Sequence, residues 1–150
     1  MGRVWALRGP FVYRALTTLQ AKGMVEVIGA EHSDVGPPRT LMSATCEGRE
    51  RLAAWLRQPV RHLRDVRSEL MLKLVLLDRW GGDRAPLLDV QRPVFEALVA
   101  ALERRCAESD GFDRTLMRWR LESARAALRF LDDSRAERGR GWSRRADSNR

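Results

Sequence analysis

Residues 12–26 read VYRALTTLQAKGMVE, and the change of pattern inside that stretch decides the fold. Val12, Leu16 and Leu19 recur at helical spacing and form one apolar stripe, with Arg14, Thr17, Thr18 and Ala21 lying away from it. Pro10 fits the first helical position, where a missing N–H is harmless. Gly23 fits the position just past the end. The spacing therefore predicts a helix over 11–22, too short to hold its shape alone in water. From Met24 to Ile28 the residues turn β-branched, and a second short strand is expected over 39–45. Between them lies GAEHSDVGPP, residues 29–38, which is dense in turn formers and reads as a projecting loop.

A helix, a two-stranded hairpin and a projecting loop, in that order, describe the last two-thirds of a winged helix-turn-helix. Working outward, a helix is expected over 47–57, capped by Thr45, apolar at Leu52, Trp55 and Leu56, and ended by Pro59. Three more helices follow. The first, over 66–80, is apolar at Val66, Leu70, Leu74 and Leu77, and also at Met71, Leu72, Val75 and Leu76, which argues for burial on several sides. The second, over 88–108, aligns Val94, Leu98, Leu102 and Cys106. The third, over 113–133, carries Met117, Leu121, Ala124, Leu128 and Leu131, a heptad seam of the kind that packs helices side by side or across a dimer. The fold class expected is mainly α with a small two-stranded β-wing. Residues 1–58 form a partial winged helix-turn-helix, 59–134 a helical dimerisation region, and 135–150 a disordered basic tail.

Composition narrows the function classes. The chain has 150 residues, 44% hydrophobic and 32% charged, as in soluble, helix-rich proteins. It has no apolar run long enough to span a membrane or serve as a secretory signal, so a cytoplasmic, nucleoid-associated location is expected. Cys46 and Cys106 form no CxxC pair, and His32 and His62 stand alone, so no metal site is expected. No serine or cysteine has a histidine at a motif spacing, which speaks against catalysis, and no cofactor motif is present. The net charge of +8 draws a protein to polyanions. Half of it, however, sits in the tail, where six arginines from Arg135 to Arg150 face only Glu137 and Asp147.

The residues quoted carry a resemblance. Tyr13, Ala15, Leu16, Leu19, Gly23 and Val25 resemble the recognition helix and first wing strand of the PadR family of bacterial transcriptional regulators. Gly36 to Thr40 (GPPRT) is similar to the family's wing, and Thr45, Gly48, Arg49 and Leu52 to its T-x-x-G-R-x-x-L stretch. RDVRSELMLKLVLLDR, residues 64–79, looks like the first helix of its dimerisation region. The likeness runs from about Val4 to Asp133. It implies a dimeric repressor that reads a palindromic operator in double-stranded DNA. Relatives ordinarily carry two further helices ahead of the recognition helix. With Met1 just upstream of that helix, Leu16 and Leu19 are expected to lack their packing partners, either because the start codon is misassigned or because the gene is shortened.

A recognition helix presents its N-terminal residues to base edges while neighbouring side chains hold phosphates. On that basis the candidate DNA-binding residues are Arg8, Tyr13, Arg14 and Thr17, with Arg39, His32 and Ser33 on the wing. Leu70, Leu74, Met117, Leu121, Ala124, Leu128 and Leu131 are the candidate dimerisation residues. They would serve a homodimer, or a heterodimer with a full-length paralogue. The family also implies a possible small aromatic effector held between tryptophans of the last helix. Trp119 lies on that helix but off the seam, and Trp55 and Trp80 read as core or interdomain packing. The second function class is a truncated interaction module with impaired DNA binding.

Overall fold

The computed structural model describes residues 9–33 and 36–136. The chain is mainly α-helical with one two-stranded antiparallel sheet: α1 (Gly9–Ala21), β1 (Val25–Ser33), β2 (Gly36–Ala44), α2 (Cys46–Arg57), α3 (Met71–Arg79), α4 (Ala85–Glu108) and α5 (Gly111–Ala136). A 3₁₀ turn (Leu63–Asp65) and one π-helical segment (Val66–Leu70) lead into α3. Two compact units divide between Trp55 and Leu56, inside α2.

In the first unit, Gly23 ends α1 at φ 68°. Its N–H donates to the carbonyl of Gln20 and that of Met24 to Leu19, both at 2.9 Å, a left-handed cap that closes off the last carbonyls of the helix. The hairpin is longer than its composition suggested. Ala30 pairs with Thr40, Glu31 with Arg39 and Ser33 with Gly36, so much of the expected loop is ladder. Extending the ladder gives backbone groups partners that a loop would leave to water. Pro37 and Pro38 are tolerated because each strand of a two-stranded sheet is an edge. The pairing slips between Val27 and Gly29, leaving Ile28 as an extra, exposed residue.

One knot ties the two ends of this unit together. The Thr45 hydroxyl donates to the Gly23 carbonyl at 2.6 Å and accepts from the Gly48 N–H at 3.0 Å, while the Thr45 N–H donates to Met24 at 3.0 Å. Thr45 is thus the expected N-cap of α2, and it also pins the turn that follows α1. Among the described residues of this unit no side chain is fully buried.

The second unit holds the core. Val60, Leu70, Leu74, Leu87, Leu88, Phe95, Ala127 and Leu131 form one buried cluster, and Leu102, Met117, Leu121 and Ala124 another. Helices α4 and α5 lie antiparallel, as the cross-links show: Arg125 bonds Glu103 at 2.8 Å, Arg135 bonds Asp89 at 2.5 Å, and Arg92 bonds Asp132. Hydrogen bonds from Asp132, then Glu96, hold the Arg92 guanidinium above its ordinary value, and Glu103, then Glu122, do so for Arg125.

The core corrects several expectations. The seam Met117, Leu121, Ala124, Leu128 and Leu131 packs within the chain, where α5 lies on α4. Leu70 and Leu74 are likewise buried in the unit's own core. Of the two packings that a heptad pattern admits, side by side within one chain accounts for this burial. Of the seven residues expected at a dimer contact, Leu128 is half-buried and the other six are buried in their own unit. Trp80, read as a packing residue, is exposed at the end of α3. The helix expected over 66–80 opens with a π-helical turn, and α5 runs on through Arg135 and Ala136, which had been assigned to the tail. The rest of the tail lies outside the described residues.

Among the described residues two polar side chains are fully buried, and sequence pattern flagged neither. Gln91 on α4 accepts from the Val60 N–H at 2.7 Å and donates to the Val60 carbonyl at 2.8 Å. Lys73 on α3 donates to the Gln58 carbonyl at 2.7 Å and pairs with Glu69 at 2.8 Å. Both fasten the segment between α2 and the 3₁₀ turn to the helical core. An unpaired polar group in such a place would be costly.

Candidate nucleic-acid interface

The candidate surface lies on α1. At 100° per residue, Tyr13, Arg14 and Thr17 share a face turned away from the Val12–Leu16–Leu19 stripe. All three are exposed. Their chemistry suits a polyanion: a fork of guanidinium donors, a phenolic hydroxyl and a small hydroxyl. The Thr17 hydroxyl already donates to the Tyr13 carbonyl at 3.0 Å, and the Thr18 hydroxyl to the Arg14 carbonyl at 2.9 Å. Thr17 can therefore accept from outside without giving up a bond, whereas donating outward breaks one. Among the described residues Arg14 has no such commitment.

Arg39 lies on β2, exposed, and directly opposite Glu31 in the strand register. The wing arginine thus shares its position with a carboxylate, which reduces its pull on phosphate. Arg8 lies outside the described residues, as do the side chains of His32 and Ser33.

Two cations were not singled out from sequence. Lys22, just past α1, and Arg51 on α2 line one open cleft of about 490 Å³ with Met24 and Glu47. Nothing in the local pattern marks them, because the Thr45 knot brings the end of α1 beside α2 only in three dimensions. Arg51 faces Glu47 at 3.8 Å, and both side chains are exposed. Such a pair contributes little to stability and leaves the guanidinium available.

The stripe on the other side of α1 is incompletely covered. Val12 is 39% and Leu19 40% exposed, and Leu16 is half-buried. Trp119 stands 67% exposed on α5, off the buried seam. Among the described residues no group of acidic, histidine and cysteine side chains is arranged to hold a metal ion. No helix among them is long and apolar enough to cross a membrane.

No protein-family model matches the chain, and no curated protein does. Among solved structures, Bacillus subtilis PadR in complex with operator DNA aligns over 88% of this chain and 80% of that one, with 19% identity and a TM-score of 0.39.

Proposed function

We propose that the protein is a DNA-binding transcriptional regulator of the PadR type, a dimeric repressor that reads a palindromic operator. The observation that carries this reading is the face of α1, where exposed Tyr13, Arg14 and Thr17 precede a two-stranded wing. In this reading α1 enters the major groove. Arg14 donates to a guanine edge or clamps a phosphate, and Tyr13 and Thr17 contact the backbone. Lys22 and Arg51 add phosphate contacts beside the helix end, and Arg39 reaches along the wing.

The test is binding of the full chain to DNA fragments flanking its gene, read by anisotropy and footprinting. A protected palindrome whose half-sites lie about one helical turn apart supports the reading. So does a logarithmic affinity that falls linearly with the logarithm of salt concentration. Uniform weak binding to every fragment overturns it.

One observation favours a second reading, an interaction module with impaired DNA binding. The first unit lacks a buried side chain among its described residues, and Val12, Leu16 and Leu19 keep much of their surface. Burial of such a stripe contributes roughly 1.5–3 kcal/mol per large side chain, so a firm reader needs further polypeptide to cover it. Amide exchange in the hairpin separates the readings. Fast exchange throughout β1 and β2, together with sequence-independent DNA binding, favours the module.

A further inference from the structure

Between α4 and α5 lies an open groove of about 370 Å³. Buried Leu121 and half-buried Cys106 form its apolar floor, with Ala107 beside them. Charges of both signs line it. Glu103 and Glu122 each bond Arg125 at 2.8 Å, so one cation of the groove takes up both of its carboxylates. Towards the N-terminal end of α5 stand Arg114 and Arg118, one helical turn apart. Both are exposed, and among the described residues neither makes an ion pair. Like charges at this spacing repel, and among the described residues no further carboxylate lines the groove to offset them.

We propose that this groove binds a small phosphate monoester, its dianionic head between Arg114 and Arg118 and its organic body over Cys106, Ala107 and Leu121. Charge and geometry select the class. A guanidinium fork bonds an oxyanion through two parallel N–H groups and takes two acceptor oxygens. A carboxylate has two such oxygens, enough for one fork. A phosphate monoester has three and carries close to two negative charges at neutral pH. Two arginines whose Cβ atoms lie about 5–6 Å apart can therefore share it. The diester phosphates of nucleic acid carry one charge each and match the pair less well. Inorganic phosphate satisfies the arginines but leaves the apolar floor in water, so an ester with an apolar group fits better. The groove shares no residue with the α1 face, and the inference does not depend on the regulator reading.

The experiment is calorimetric titration of the full chain, without DNA, with phenyl phosphate at constant ionic strength. Saturable binding is expected, with the dissociation constant raised about tenfold or more by Arg114→Gln or by Arg118→Gln. Arg118→Lys recovers little of the loss, because an ammonium lacks the fork. Lys22→Gln with Arg51→Gln leaves the affinity unchanged, which separates this groove from the cleft beside α1. All four side chains are exposed, and circular dichroism checks that the fold is kept. Benzoate is expected to bind more weakly than phenyl phosphate by about tenfold or more. Bound phenyl phosphate also slows alkylation of Cys106 by iodoacetamide but not that of exposed Cys46. The proposal fails if binding does not saturate, if it survives both Arg114→Gln and Arg118→Gln, or if it is lost with Lys22 and Arg51. Alkylation of Cys106 at an unchanged rate sinks it too. Benzoate that binds as tightly as phenyl phosphate overturns the ligand class.

Discussion

Gly48 on α2 lies so close to Met24 that a Cβ built on it would sit 2.0 Å from the Met24 carbonyl oxygen. That carbonyl also accepts the Thr45 N–H at 3.0 Å. The contact joins the turn after α1 to the first turn of α2, so the wing springs from a fixed base although its unit has no buried side chain among the described residues.

Gly48→Ala is expected to push α2 off this turn, because the obstructing atom is backbone and cannot rotate away. Overpacking of this kind costs about 1–3 kcal/mol and occasionally more. Amide exchange should accelerate across Val25–Ala44 while the α4–α5 pair stays protected. Unchanged protection in the hairpin contradicts the role given to this contact.

Gln91→Leu keeps the volume of the side chain and strands both backbone groups of Val60. Each buried group left unpaired costs about 1–3 kcal/mol. Chemical denaturation should show a loss of roughly 2–5 kcal/mol, with Gln91→Glu smaller at acid pH, where a protonated carboxyl still accepts the Val60 N–H and donates to the Val60 carbonyl. Equal losses for the two variants count against the two-point clamp.

Removing the partner of Lys73 should hurt more than removing Lys73 itself. Glu69→Ala takes away the carboxylate that a buried ammonium pairs with at 2.8 Å, whereas Lys73→Met fills the same space with an apolar chain. Because Glu69 is 40% exposed, its removal costs less than the roughly 3–5 kcal/mol of breaking a fully buried pair, while replacing the lysine charge by a packed apolar group is often near neutral. The half-exposed Glu69 retains water when Lys73 is lost. Thermal melts of the two variants give the order directly.

On DNA, Arg14→Ala is expected to weaken operator binding by about 1–3 kcal/mol and to relax sequence preference, as loss of a base-edge contact does. Thr17→Ala should cost less, because its hydroxyl is already bonded to the Tyr13 carbonyl. Competition between cognate and random duplexes measures both effects. An Arg14 variant with unchanged preference removes that residue from the reading set.

Local pattern was enough for the elements. The step from helical spacing to β-branched residues at Met24 gave the helix and the wing, and Gly23 marked the helix end that its left-handed backbone confirms. Thr45 as a cap was legible because the bond it makes is three residues long. The heptad spacing of α5 was legible as well, but not the surface that it would meet. Spacing says that a stripe must be covered and is silent on whether the cover is the same chain or another.

Sequence by itself determined that this is a mainly helical protein with a small wing and an exposed arginine and tyrosine on its first helix, because these follow from interactions among near neighbours along the chain. Tertiary structure decided the rest. It buried Met117, Leu121 and Ala124 against α4 and left Phe112 and Trp119 open. It hid Gln91 and Lys73 by supplying partners 31 and 15 positions away, and it brought Lys22 and Arg51 to one cleft. Those outcomes depend on which distant surfaces meet, and burial of a polar or apolar side chain has no meaning until they do.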